Sequence, residues 1–317
     1  MVHALHLDRN GGAKNVEFNE AKKLLIQNEL VWLHFDYEME STFDYLNSLE
    51  LDEIVIDALL SEQTRPRITK LDDNLLMALR GVNLNANSNP EDMVSIRLFV
   101  GENIIVSTKK RDLLSVKDMV SSLSSGKGVK SSAEFLIELT YLLTNRMQDT
   151  IEELDEEVGI LEEDVCDEKS KNVRTDILTL RKEALILKRY ISPQRDALNR
   201  LSSERISWID DYQRLQLKEI TDSLYRYVEE LETLKDRISY VQEELSNVLS
   251  EKMNSKMYIL SIISAIFLPL GFLTGLLGIN VGGIPGSENP NSFGIFMGIL
   301  IVLVAIQLYY FKKKKWI

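Results

Sequence analysis

Two apolar runs of about 20 residues, Tyr258–Leu277 and Phe293–Phe311, flank a short loop that opens Gly278-Ile279-Asn280-Val281-Gly282-Gly283-Ile284-Pro285-Gly286. A helix rises ~1.5 Å per residue, so roughly 20 residues cross the ~30 Å hydrocarbon core of a bilayer. No charged side chain falls between Met257 and Ser287, and Glu288 is the only one before Lys312. Residues 257–317 therefore read as a membrane hairpin with spans at 258–277 and 293–311. Everything before them is its attachment.

The charge is unevenly placed. The 317 residues carry −12, but residues 257–317 hold four lysines and one glutamate (+3), which leaves −15 on the preceding 256. So acidic a body argues against a nucleic-acid partner, whose affinity needs basic side chains on phosphates. It favours cations instead. Cys166 is the only cysteine, which excludes an intrachain disulfide and a cysteine zinc cluster. Met1-Val2-His3-Ala4 lacks the basic-then-apolar layout of a signal peptide. Lys252, Lys256 and Lys312–Lys315 flank the spans and the loop between them has no Lys or Arg. Positive-inside bias then predicts both termini in the cytoplasm.

Residues 1–130 read as a cytosolic α/β domain. Strand candidates are Val2–Asp8, Leu30–Asp36, Ile68–Leu71, Leu75–Leu84, Met93–Val100 and Asn103–Thr108, with helices at Phe43–Glu50 and Leu51–Glu62. Ser121–Ser132 reads as a loop. From 131 to 209 the period becomes helical: an acidic helix over Phe135–Val165, a more basic one over Lys171–Ile191, and a break at Ser192-Pro193. A third helix starts near Asp210-Asp211. Its Leu224, Leu231, Ile238 and Leu245 fall seven apart, interleaved with Tyr227, Leu234, Val241 and Val248. That heptad pattern predicts helix–helix packing and offers a means of oligomer assembly. Residues 210–256 form this stalk, which no Pro or Gly interrupts before the membrane. The expected fold class is α+β: a small sheet with packed helices, continuing through a very long helix into a two-span membrane domain.

Enzymatic motifs are missing. His3 and His6 are three apart in a strand and so face opposite sides of a sheet, which works against shared metal ligation with or without His34. Gly126-Lys127-Gly128 lacks the spacing and the Ser/Thr of a phosphate loop. The runs Glu152-Glu153, Asp155-Glu156-Glu157 and Glu162-Glu163-Asp164 either form a solvated helix face or attract divalent cations. On the first span Asn254, Met257, Ser261, Ser264, Leu268, Gly271, Gly275 and Gly278 recur at 3/4 spacing. One face of small and weakly polar residues means either close helix packing in lipid or a narrow pore lining. Two spans cannot enclose a path, so a pore requires a symmetric oligomer.

Gly278-Ile279-Asn280, placed after a long stalk helix and Phe267-Leu268-Pro269 and before a second span and a lysine-rich end, resembles the CorA superfamily of divalent-cation transporters. That family has Gly-Met-Asn at this place. Asn254 and Met257 match its Asn and Met at the cytosolic mouth, and the likeness covers essentially the whole chain. Ile279 in place of Met, with the following Gly282-Gly283-Ile284-Pro285-Gly286, is similar to the zinc-transport (ZntB) branch.

The resemblance implies a funnel-shaped homopentamer in a bacterial inner membrane, first spans around the pore. Zn²⁺ is the implied cargo, with other divalent cations possible, and no cofactor is implied. An outer filter at Gly278, Ile279 and Asn280 would lead to a lining of Met257, Leu260, Ser264, Leu268 and Gly271, with Asn254 at the cytosolic mouth and Glu288 in the outer loop. Glu219 falls where the family places a cytosolic metal-sensing carboxylate; an ordinary ion pair within the stalk is the other reading. Amide and carbonyl oxygens are hard ligands without a preference for zinc. A Mg²⁺/Co²⁺ channel of the same architecture therefore stands as the alternative, with a non-transporting coiled-coil scaffold as the second.

Overall fold

The structure, a computed structural model, describes residues 1–62, 65–167, 172–279, 284, 286 and 289–314, the side chains of residues 166 and 167 excepted. It divides into two compact units, Met1–Gln242 and Glu243–Ile317.

The first unit is built on a seven-stranded sheet. Strands β1 (His3–Leu7), β2 (Ala13–Asn15), β3 (Val31–Asp36), β4 (Arg67–Leu71), β5 (Asn74–Gly81), β6 (Val94–Val100) and β7 (Ile104–Lys109) lie in the order β2-β1-β3-β7-β6-β5-β4. All neighbours are antiparallel except β3 and β7, which run parallel from Val31↔Ile104 to Asp36↔Lys109. The β1–β2 turn is held by Asp8, whose carboxylate accepts from the backbone N–H of Asn10 (2.7 Å) and Gly12 (2.9 Å). Gly11 sits there at φ +101°, a left-handed conformation that favours glycine.

Alternation in β3 sends side chains to both faces of the sheet. Val31, Leu33 and Phe35 join Leu76, Phe99 and Val106 under three short helices, α1 (Phe18–Ile26), α2 (Ser41–Asn47) and α3 (Glu53–Leu60). Trp32 goes to the other face and meets Phe135 of α5 (Ser132–Asp167) edge-on at 4.8 Å. Each such fully buried large side chain stabilises the fold by about 1.5–3 kcal/mol relative to exposure. Both faces are covered, which explains why β3 reads as a continuous apolar run rather than an alternating one.

Helices α5, α6 (Val173–Ser203) and the first part of α7 (Asp211–Gly278) complete the unit. Leu224, Tyr227, Leu231, Leu234, Ile238 and Val241 of the heptad pattern are buried. Polar bonds also tie α7 to both neighbours: Lys188 to Glu232 at 2.7 Å, Tyr227 Oη to Gln148 at 3.1 Å, and Arg237 to Glu162. The heptads thus pack within their own chain up to Val241, which corrects the expectation that this stretch offers a means of oligomer assembly.

Two further expectations are overturned. α6 does not stop at Ser192-Pro193 but runs through Pro193 to Ser203. Its buried stripe, Leu180, Ala184, Leu187, Ile191, Gln194, Leu198 and Leu201, continues at 3/4 spacing across the proline. Burial of that face outweighs the one backbone bond the ring removes. Likewise the first part of Ser121–Ser132 is not loop: α4 (Leu114–Ser124) covers it, because Val116, Met119 and Leu123 form a buried stripe between the serines.

Candidate functional site

The second unit contains the end of α7 and α8 (Ser292–Lys313), and the apolar windows of both helices lie wholly unburied within the chain. Apolar side chains exposed along two helices of this length require lipid or further copies of the chain around them.

Their side chains divide by face. On α7 the half-buried positions are Ile262, Ile266, Pro269, Leu270 and Leu273. On α8 they are Ser292, Phe296, Leu300, Leu303, Val304 and Gln307, with Phe311 buried. Each set recurs every three or four residues, so the two stripes form the seam between the helices. Gln307 Nε2 reaches across it and donates to the Ala265 carbonyl at 3.3 Å.

Asn254, Met257, Ser261, Ser264, Leu268, Gly271, Gly275 and Gly278 are all exposed. At about 100° per residue they fall on the opposite side of α7 from that seam. Leu260 is exposed as well, and Leu268 at 72 % is among the most open residues of the span. A Cβ built on Gly271 or Gly275 meets no described atom within 4 Å. The small residues therefore do not serve close packing of α7 on α8. They line a face that the chain itself leaves open: apolar, interrupted by hydroxyls and bare backbone, and without an ionisable group. Of the expected outer filter, Gly278 ends α7 and Ile279 is exposed, while Asn280 and Glu288 lie outside the described residues.

The other candidates go elsewhere. Glu219 is exposed on α7 and enters no ion pair among the described residues. Within the acidic runs, Asp155 and Glu162 are both held by Arg237, and Glu152 accepts from Gln148 at 2.7 Å. Arg237 keeps the Glu162 carboxyl below its ordinary pKa. Those acids are partners in the helix bundle. His6 lies 3.2 Å from Glu29, whereas His3 stacks on His34 with ring centroids 6.1 Å apart, so the histidines do not converge. Among the described residues no group of three or more His, Cys, Asp or Glu side chains is placed to hold a metal ion. The Gly126-Lys127-Gly128 loop packs on the β1–β2 turn, Gly128 N–H donating to Gly11 at 2.7 Å.

Gln307 is not among the residues that the sequence singles out, because only ionisable groups stand out in an apolar span at first sight. A signal was present all the same: a lone amide in one span, opposite a span interrupted by proline.

This pairing of an α/β domain, a single helix passing from it into a span, and a hairpin with one open weakly polar face defines a family. The CorA-like Mg²⁺ transporter protein family matches residues 27–313. The chain belongs to it. It is 34 % identical over 317 residues to the zinc transport protein ZntB of Pectobacterium carotovorum subsp. carotovorum (strain PC1), covering 100 % of this chain and 96 % of that one. It is 37 % identical over 321 residues to the divalent cation transporter CmaX of Pseudomonas aeruginosa, covering 100 % and 97 %. The solved structure of a full-length CmaX protein is similar with a TM-score of 0.85 at 36 % identity, over 99 % of this chain and 98 % of that one.

Proposed function

We propose that this divalent cation transporter imports Zn²⁺ across a bacterial inner membrane as a ring of identical copies, five by its family likeness. The observation that carries the reading is the open face of α7, opposite the α8 seam. One chain with two spans cannot enclose a path, so that face becomes a lining only when copies of it converge on an axis. In such a ring, Gly278 carbonyls and Asn280 amides at the outer mouth hold a hydrated cation, with Ile279 between them and Glu288 nearby. Met257, Leu260, Ser264 and Leu268 make a narrow, largely apolar constriction that gates by dewetting, Gly271 widens the path, and Asn254 marks its cytosolic end. Glu219 serves as a cytosolic metal sensor.

Lysines on either side of the hairpin support a cytoplasmic location for both termini. A potential negative inside is worth roughly 2.3 kcal/mol per charge per 100 mV, hence about 4.6 kcal/mol for a divalent ion, and drives flow inward. The spans hold no Asp, Glu or His. Proton coupling would therefore run through water in the path or through Glu288 rather than a side-chain relay.

Full-length protein in liposomes tests the reading. Zn²⁺ uptake should exceed Mg²⁺ uptake, respond to an imposed pH gradient, and vanish in Asn280→Ala. Faster Mg²⁺ than Zn²⁺ uptake overturns the choice of metal, and flux unchanged by Asn280→Ala overturns the filter.

A further inference from the structure

Pro269 lies inside α7, nine residues before its end at Gly278. Proline has no N–H, so the carbonyl four residues earlier, that of Ala265, loses its helical donor, and the ring also pushes that carbonyl off the helix axis. In hydrocarbon no water replaces the bond, and an unpartnered carbonyl there is strongly unfavourable. The donor arrives from the other helix: Gln307 Nε2 of α8 reaches the Ala265 oxygen at 3.3 Å. Pro269 itself sits on the seam, half-buried, so the freed carbonyl faces α8.

Packing does not account for this glutamine. Its neighbours along the α8 seam, Leu303, Val304 and Phe311, are apolar, and its own Oε1 is buried without a hydrogen-bond partner among the described residues. An apolar side chain of the same size would avoid that cost. The geometry points to Gln307 as a positioning residue of the transport path: it replaces the backbone bond that Pro269 deletes and fixes the course of α7 where Leu268 faces the opening. The role rests on the reading of the open α7 face as the pore lining. Leu268 directly precedes the proline, so a shift of the backbone there moves the narrowest apolar part of the path. The clamp is a cross-helix bond that acts on the pore from behind.

The test is a double-mutant cycle on full-length protein in liposomes, with Zn²⁺ alone as the probe. Gln307→Met keeps volume and removes the donor; Pro269→Ala returns an N–H to the Ala265 carbonyl. Gln307→Met should change the uptake rate about three- to tenfold, the range that polar contacts between membrane helices support. In the Pro269→Ala background the same substitution should change it less than about twofold, because the helix then supplies its own donor. Equal effects of Gln307→Met in both backgrounds, or none in either, overturn the clamp, since a packing role would not depend on residue 269. If Gln307→Met fails to insert, recovery of insertion by Pro269→Ala supports the clamp and its failure overturns it. Absence of Zn²⁺ uptake by the unaltered protein instead overturns the transport reading.

Discussion

Gln194 of α6 satisfies both backbone groups of Arg80 in β5. Its Oε1 accepts from the Arg80 N–H at 2.7 Å and its Nε2 donates to the Arg80 carbonyl at 3.2 Å. A side-chain amide here does what a neighbouring strand does for the rest of the sheet. The residue is 1 % exposed, so nothing from solvent can take its place.

Gln194→Leu removes both bonds at a buried site. Losing a buried partner costs roughly 1–3 kcal/mol. At about 2–4 °C per kcal/mol for a domain of this size, Tm should fall by several degrees. Differential scanning measurements in detergent check this, and an unchanged Tm would show that the amide is dispensable.

Arg237 grips Glu162 with two prongs, Nε to Oε1 at 2.9 Å and Nη2 to Oε2 at 2.8 Å, and also binds Asp155. About a third of each side chain of the Arg237–Glu162 pair is exposed, so solvent screening limits its worth to about 1 kcal/mol or less. The folded-state pKa of Glu162 is depressed, chiefly by its bonds to Arg237. Its contribution is therefore full above the unfolded glutamate value of about 4.3 and is lost as pH falls through the lower folded value. Glu162→Gln should lower stability slightly at pH 7, and the difference from the parent should close in that acid window. Paired pH titrations of Tm would expose a difference that persists instead.

His34 is 1 % exposed. Ser107 Oγ accepts from Trp32 Nε1 at 2.8 Å and shares a hydrogen bond with His34 Nδ1 at 2.7 Å. Burial pushes its pKa down to about 3, aided by Lys109 and His3. The unfolded chain binds the proton near pH 6.5 and the folded one does not until about 3. Stability from this group is complete above 6.5 and declines as pH drops across that interval, by at most ~1.4 kcal/mol per pH unit. His34→Gln should flatten the acid limb of a stability–pH curve. A limb as steep as the parent's would mean that other groups set it.

Gly271→Leu places a large side chain on the open face of α7, where an added Cβ meets no described atom within 4 Å. The protomer should insert and fold as before, with helix propensity improved by up to ~1 kcal/mol, while Zn²⁺ uptake falls steeply. Undiminished flux in liposomes would place the path elsewhere.

What could be read from residues alone divides along physical lines. The hairpin was legible because lipid admits only long uncharged runs, and the heptads from Leu224 to Val241 were legible because burial imposes a period. Their partner was not: the pattern predicts a packed face, but only the fold decides whether α5 and α6 or another copy fills it. Pro193 misled because local propensity argues for a break, whereas the buried stripe through Gln194 continues regardless. At the site, the face carrying Ser264 and Gly271 was visible as a stripe. Its two meanings could be separated only by seeing α8 occupy the other side. The clamp at Ala265 was hidden because a freed carbonyl leaves no mark on its own residue; it is implied by Pro269 and answered by Gln307, 42 positions away.

The sheet consists of two sequence-local halves, β2-β1-β3 and β7-β6-β5-β4, welded along the one parallel pair. Val31 and Ile104 meet across that weld from 73 positions apart, whereas every other strand pair closes far shorter loops. The halves can each form early, but the weld must await the synthesis of β7 and the long closure it demands. A folding chain should thus hold two half-sheets with bare edges at β3 and β7, and its slow phase should be their joining. Substitutions on β3, such as Leu33→Ala, would then slow refolding more than equally destabilising ones on β4.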